Sequence, residues 1–421
     1  MSLIDVVSAG PATPYRRIGY AVGPLLAAAA WLTPPPAGMS LGAWQVVGLA
    51  GWMTAWWVTE AVPIPATSLL PVIVMPLLGI MPMGAALAPY ANPIVALIWG
   101  GMVVALSLER WQLHRRLALH VLGRVGERPQ ALLAGFMAVT AFLSMWLSNS
   151  ATTMMMMPIA LSVATVMVDQ RPGAPAHPFT VALLLGIAYA ASLGGLGTLV
   201  GTPPNAMAAA YLRQNFGLHI GFLDWMRVGV PAVLILVPAA WAVLRLLFPV
   251  AAGIGHGGRA YIDAELARMG PISSPEKRVG LIAVAMALGW LSSRWLRELP
   301  GLGGLTDPMI AVLGALAVLV LPAGKGQERL LAWPHMARLN WGLLLLFGGG
   351  LSLAAGMAES GLAAWLGQNL ATLAGLPVWV LVLALVAMVV FLTELTSNTA
   401  TTAALLPVLG ALAQATGRDP L

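Results

Sequence analysis

Phe142–Ala160 reads FLSMWLSNSATTMMMMPIA, and Phe391–Leu409 reads FLTELTSNTATTAALLPVL. Aligned without a gap at an offset of 249 residues, 8 of the 19 positions are identical. Ser144 against Thr393 and Ser150 against Thr399 also keep a hydroxyl. Each copy sets a polar Ser-Asn-Ser/Thr knot between two apolar arms. A buried amide or hydroxyl without a partner costs roughly 1–3 kcal/mol. One such knot is readily explained as hydrogen-bonding glue between membrane helices. Two matching knots point instead to ligands or ions that complete the bonds.

The arms, 131–147 with 151–168 and 377–396 with 400–416, read as re-entrant hairpins. Other runs approaching the roughly 20 residues of a membrane span fall near 18–32, 43–58, 64–81, 92–108, 179–200, 226–249, 279–296, 306–322 and 340–358. The composition agrees: 59% of residues are hydrophobic and 9% charged, against about 25% charged in soluble domains. The mean hydropathy is +0.86. This is an all-α polytopic membrane protein. Cysteine is absent, which excludes disulfides, thiol nucleophiles and Cys-based metal sites. The pI near 10.2 does not signal nucleic acid, because the basic residues lie scattered at loop ends. No clear signal-peptide cleavage site follows the first apolar run, which reads as a retained span.

With the N-terminus cytoplasmic and both hairpins re-entrant, the 21 basic residues divide 16 inside to 5 outside, the bias of the positive-inside rule. Five crossings then separate Asn149 from Asn398, so the two knots enter from opposite faces. Inverted repeats with broken helices near the midplane are a transporter pattern. The hydrophilic segment Ala252–Arg278 joins the halves and reads as a solvated cytoplasmic linker, with a short surface helix around Tyr261–Met269 as the alternative.

The second arm of each hairpin is expected to start at Ala151 and Ala400, where free N–H groups and the helix dipole favour anions. No Lys or Arg lies between Arg128 and Arg171, or between Arg338 and Arg418. An anion there depends on dipoles, hydroxyls and bound cations, and hard cations prefer oxygen ligands. A third stretch, Gly186–Ala206 (GIAYAASLGGLGTLVGTPPNA), offers such oxygens. Its glycines and Pro203-Pro204 predict unwinding between about 194 and 204, freeing carbonyls beside Thr198 and Asn205. Glu394, three residues before the second knot, is a candidate for ion or proton work. Glu60 reads as a structural pairing residue and the Met154–Met157 run as packing. The His residues show no ligand spacing, and no nucleophile–base group stands at membrane depth, which argues against an intramembrane enzyme.

Ser148-Asn149-Ser150, Ser397-Asn398-Thr399, GTPPN at Gly201–Asn205, TEAVPIPATSLLP at Thr59–Pro71, FGGG at Phe347–Gly350 and the SPEKR ending of the linker resemble the divalent anion/sodium symporters, along essentially the whole chain. The resemblance implies a homodimer in the bilayer, with an elevator-like transport domain sliding against a scaffold. It assigns 1–130 and 279–376 to scaffold helices, 131–212 and 377–421 to the transport domain, and 213–278 to a span plus linker. It implies one Na+ near Ser144, Ser148, Asn149 and Gly197, and a second near Thr393, Thr396, Ser397 and Asn398. Substrate carboxylates would lie among Asn149, Ser150, Thr198, Ser397, Asn398 and Thr399. The family more often has Ser-Asn-Thr at the first knot, so Ser150 lacks a methyl there. A second TPPN-like turn is expected downstream of the second hairpin, at or beyond Leu421, which suggests a truncated chain. The expected function is sodium-coupled symport of C4 dicarboxylates across a bacterial inner membrane. A sodium-independent exchanger, a sulfate or citrate carrier and an anion channel stay open as alternatives.

Overall fold

The computed structural model describes residues 14–168, 177–249, 257–324, 328–370, 375, 377–395 and 397–420. Thr396, Arg171, Lys325 and the first part of the linker lie outside them. Among the described residues the fold is helical, with a single isolated β-bridge between Pro322 and Arg329. The chain divides into two compact units. One comprises Met1–Val95, Met207–His219 and Asn340–Leu421, the other Ala96–Ala206 and Ile220–Leu339.

In the first unit α1 (Pro14–Leu32) packs along α2 (Leu41–Thr59). Ser40 caps α2 by accepting from Ala43 N at 3.0 Å, satisfying one of the free N–H groups of the first turn. A tryptophan cluster, Trp31, Trp52 and Trp56, seals the pair. The expected span 64–81 is broken into α3 (Ile64–Thr67) and α4 (Leu70–Leu77). Pro71 has no N–H to continue the ladder, and Ser68 instead turns its hydroxyl back to Ile64 O at 2.8 Å. The short helix α5 (Met83–Leu87) follows.

The FGGG run explains how the broken span is held. It lies inside a later helix, Trp341–Glu359, whose glycines admit the turn almost backbone to backbone. A Cβ on Gly349 would stand 2.4 Å from Ser68 O, and one on Gly348 would enter the Tyr90 ring. Tyr90 in turn donates its hydroxyl to Ser68 O. Glu60 pairs with Arg16 at 3.3 Å, as its structural reading expects.

The second unit contains α6 (Pro93–Arg110), α7 (Leu113–Leu122), the first hairpin α8 (Pro129–Ser144) and α9 (Asn149–Met167), and α10 (Pro178–Gly195). The helix α11 (Pro203–Phe216) begins after a break and from Met207 belongs to the first unit; the second resumes with α12 (Phe222–Leu247), α13 (Gly258–Arg268), α14 (Ser274–Leu296) and α15 (Asp307–Val320). Its core is a continuous apolar cluster from α7–α10, α12 and α13, including Phe136, Met156, Phe179 and Ile187, all fully buried.

The linker is more ordered than a solvated strand. Its α13 packs on α7 and α9, with Ile262 fully buried and Gly258 against Val163 and Met167. At its end, Arg116 and Glu276 form a buried ion pair at 3.0 Å, with side-chain exposures of 8% and 5%. Arg116 also donates to the carbonyls of Met269 and Gly270. Ser273 and Glu276 make a capping box that starts α14.

The first unit resumes with α16 (Trp341–Glu359), α17 (Leu362–Leu370), and the arms of the second hairpin, α18 (Val378–Leu395) and α19 (Asn398–Ala415). α19 packs on α16 and α17. Among the described residues six helices are long and apolar enough to cross a membrane: Met83–Arg110, Asn149–Met167, Pro178–Gly195, Phe222–Leu247, Ser274–Leu296 and Trp341–Glu359.

Candidate functional site

Both knots sit where one helix stops and the next begins. The second arms start at Asn149 and Asn398, two residues earlier than expected, with Ser148 and Ser397 as the residues just outside. The reason is capping. Ser148 has extended backbone, and its hydroxyl accepts from Ala151 N at 3.2 Å, which suits serine better than a start at alanine. The asparagines are therefore the first helical residues, at the positive end of the dipole.

Around the first knot the structure builds a polar junction out of neutral groups. Ser144 is fully buried and donates its hydroxyl to Ala191 O at 2.7 Å. The Asn149 amide is oriented by its surroundings. With the nitrogen inward it donates to Ser144 Oγ at 2.7 Å, Ala191 O at 3.1 Å and Gly201 O at 3.3 Å. Its oxygen then points the other way. Asn149 is half-buried, while Ser148 and Ser150 are exposed.

The partner of this hairpin tip is the expected break. α10 ends at Gly195 and α11 begins at Pro203, so 196–202 is non-helical. Gly194 allows the close approach: a Cβ there would lie 2.3 Å from Ala141 O. Thr198 is fully buried; its hydroxyl donates to Met145 O and accepts from Gly201 N at 3.0 Å. This threonine pins the hairpin tip to the turn. Trp225 adds a brace that the sequence did not flag, donating Nε1 to Leu196 O at 2.9 Å.

One expectation is reversed in detail. Unwinding was expected to free carbonyls beside Thr198 and Asn205, yet Asn205 closes two of them. Its amide donates to Gly195 O at 2.9 Å and Thr198 O at 2.8 Å, at 4% exposure. The asparagine after the two prolines stitches the break shut. Gly197, whose carbonyl is not one of the two that Asn205 takes, is buried against Met145.

The second knot lies in the first unit. Asn398 is exposed, and Ser397 and Thr399 are half-buried. Thr393 donates to Val390 O at 3.0 Å and Thr402 to Asn398 O at 2.8 Å, both within the arms of the hairpin. Ser397 makes no side-chain capping bond, unlike Ser148. Thr396 falls outside the described residues. Glu394 is exposed in the chain.

A hairpin tip and a broken helix, joined by uncharged oxygens and amides within an apolar all-α chain, define a membrane carrier. Residues 54–421 match the family model described as citrate transporter. Across 419 residues the chain is 38% identical to the sodium-dependent dicarboxylate transporter SdcS of Staphylococcus aureus strain USA300. It is equally similar to the proteins of that name from strains bovine RF122 / ET3-1 and MSSA476. Each alignment covers 98% of this chain and 81% of the relative. The chain belongs to this transporter family, in agreement with its resemblance to the divalent anion/sodium symporters. It is a multi-pass membrane transporter and not an enzyme.

Proposed function

We propose that the chain carries C4 dicarboxylates into the cell by coupling them to sodium, in a bacterial inner membrane with the N-terminus cytoplasmic. The observation behind this reading is the junction of Ser144, Ser148 and Asn149 with the break at 196–202. It offers only neutral oxygens and helix N-termini, and 129–168 and 177–206 contain no Asp, Glu, Lys or Arg. Neutral oxygens suit a hard monovalent cation. A dianion meets no fixed counter-charge there, so bound sodium has to supply it. This is the physical basis of coupling. The relatives' name, sodium-dependent dicarboxylate transporter, supports the same substrate and ion.

In this reading one Na+ is held by Ser144, Ser148, the Asn149 oxygen and the Gly197 carbonyl. A second is held by Thr393, Thr396, Ser397 and Asn398. Asn149, Ser150, Ser397, Asn398 and Thr399 hold the carboxylates, and Thr198 serves them by fixing the hairpin tip. The hairpins belong to a transport domain that moves against scaffold helices, and two copies form a homodimer.

Ligand-induced stabilisation tests the coupling without requiring transport. A ligand that binds the folded state raises the unfolding temperature in proportion to RT ln(1 + [L]/Kd). Succinate should raise it in sodium chloride and much less in choline chloride. An equal rise in both salts would refute sodium coupling.

A further inference from the structure

We propose that the cleft between α7, α13 and the start of α14 is a binding site for the headgroup of an anionic phospholipid. The cleft has a volume of about 440 Å³ and is lined by Trp111, Gln112, Arg115, Glu265, Arg268 and Ser273, above the Arg116–Glu276 pair. All of these belong to the second unit.

The charges are sorted by depth. Arg116 and Glu276 neutralise each other and are closed off from solvent. Glu265 is shared by Arg115, at 2.7 Å, and Arg268. That leaves one positive charge more than the carboxylates can offset. The acid is the buried partner: the Glu265 side chain is 10% exposed, against 33% for Arg115 and 74% for Arg268. The mouth of the cleft therefore presents guanidinium to its surroundings. Guanidinium forks match the geometry of phosphate oxygens, and the Gln112 amide and Ser273 hydroxyl add neutral polar groups beside them.

The depth of the cleft selects a lipid. Two candidate membrane spans end at it: Met83–Arg110 stops one residue before Trp111, and Ser274–Leu296 starts one residue after Ser273. Span ends lie at headgroup level. From there α14 runs with an exposed apolar stripe, Leu281, Val284 and Leu288, and Ile272 is exposed at its head. An acyl chain can follow this stripe while the phosphate rests in the cleft. Basic pockets at span ends recognise anionic headgroups in this way, and a tryptophan at the mouth suits the interface.

Native mass spectrometry of the detergent-purified protein tests the site, with phosphatidylglycerol against phosphatidylcholine. The wild-type chain should retain phosphatidylglycerol preferentially. Arg115→Gln with Arg268→Gln should weaken that retention by about fivefold per arginine. Arg268→Gln alone guards against misfolding, because that side chain is exposed and Arg115 still partners Glu265; it should show about a fivefold loss by itself. Equal retention of the two lipids, or undiminished retention by both variants, would overturn the proposal. So would displacement of the lipid by inorganic phosphate, which would make the site a receptor for a free anion.

Discussion

The Asn149 amide stands 2.7 Å from the Ser144 hydroxyl, across the tip of the first hairpin, and both contact the carbonyl of Ala191. One asparagine thereby joins the end of one arm, the start of the other and the helix that breaks beside them. The amide nitrogen is committed to structure, and in the proposed function the oxygen is the atom that meets the ligand.

Removing that amide separates the two roles. Asn149→Ala should abolish uptake while the protein still inserts and purifies as a folded species, because Ser144 keeps its bond to Ala191. Asn398→Ala should do the same. Normal uptake by either variant would remove the knots from the mechanism.

Asn205 is predicted to be a stability residue. Asn205→Ala leaves the Gly195 carbonyl buried without its side-chain donor, at about 1–3 kcal/mol, and leaves Thr198 O with only the 3.4 Å bond from Gly201 N. The expected result is a clear drop in unfolding temperature, measured in detergent. Asn205→Asp should be at least as damaging, since a carboxylate cannot donate to either carbonyl.

Close approach gives a second structural prediction. Gly194→Ala forces a methyl to within 2.3 Å of the Ala141 backbone, so the hairpin arm and α10 must part. Uptake and stability should fall together. Gly304→Ala, where a Cβ meets nothing within 4 Å, should leave both unchanged.

These sites show what the sequence could and could not convey. The repeated knots, the uncharged stretches and the break near 194–204 were legible because composition and proline–glycine chemistry act locally. The helix starts were misplaced by two residues, since the capping geometry of Ser148 depends on its backbone angles. Asn205 stands out in the GTPPN motif and beside carbonyls expected to be free, but only the folded turn shows that it closes Gly195 O and Thr198 O itself. Trp225 carried no signal at all, because its partner, Leu196 O, is 29 residues away. The linker helix was legible only as an alternative to a solvated linker, and its packing was not legible at all: Ile262 and Glu265 gain meaning only from α7 and α9.

The buried ion pair beneath the linker is expected to be asymmetric. Arg116→Met strands Glu276 as an unpaired buried charge, which costs about 3–5 kcal/mol. Arg116→Met combined with Glu276→Leu should recover most of that loss. A double variant no more stable than Arg116→Met would show that losing the capping bond from Ser273 N to Glu276 costs as much as the stranded charge.

His114 supplies a pH dependence. Burial holds its pKa below the usual 6.5; the hydrogen bond to Leu108 O opposes that shift, and Arg115 adds to it. The unfolded chain therefore takes up a proton near pH 6.5 that the folded chain resists. Stability from this residue is present above pH 6.5 and declines as the pH falls below it. His114→Gln should flatten the decline in unfolding temperature between pH 7 and pH 5. An unchanged slope would show that other groups carry it.

The central claim is that sodium supplies the charge this neutral site lacks. Its most direct test is uptake of radiolabelled succinate into proteoliposomes holding the purified chain, under an inward sodium gradient or an equal potassium gradient. Accumulation is expected with sodium and none above background with potassium. Equal uptake under both gradients, or uptake that depends only on dicarboxylate inside the vesicles, would contradict it.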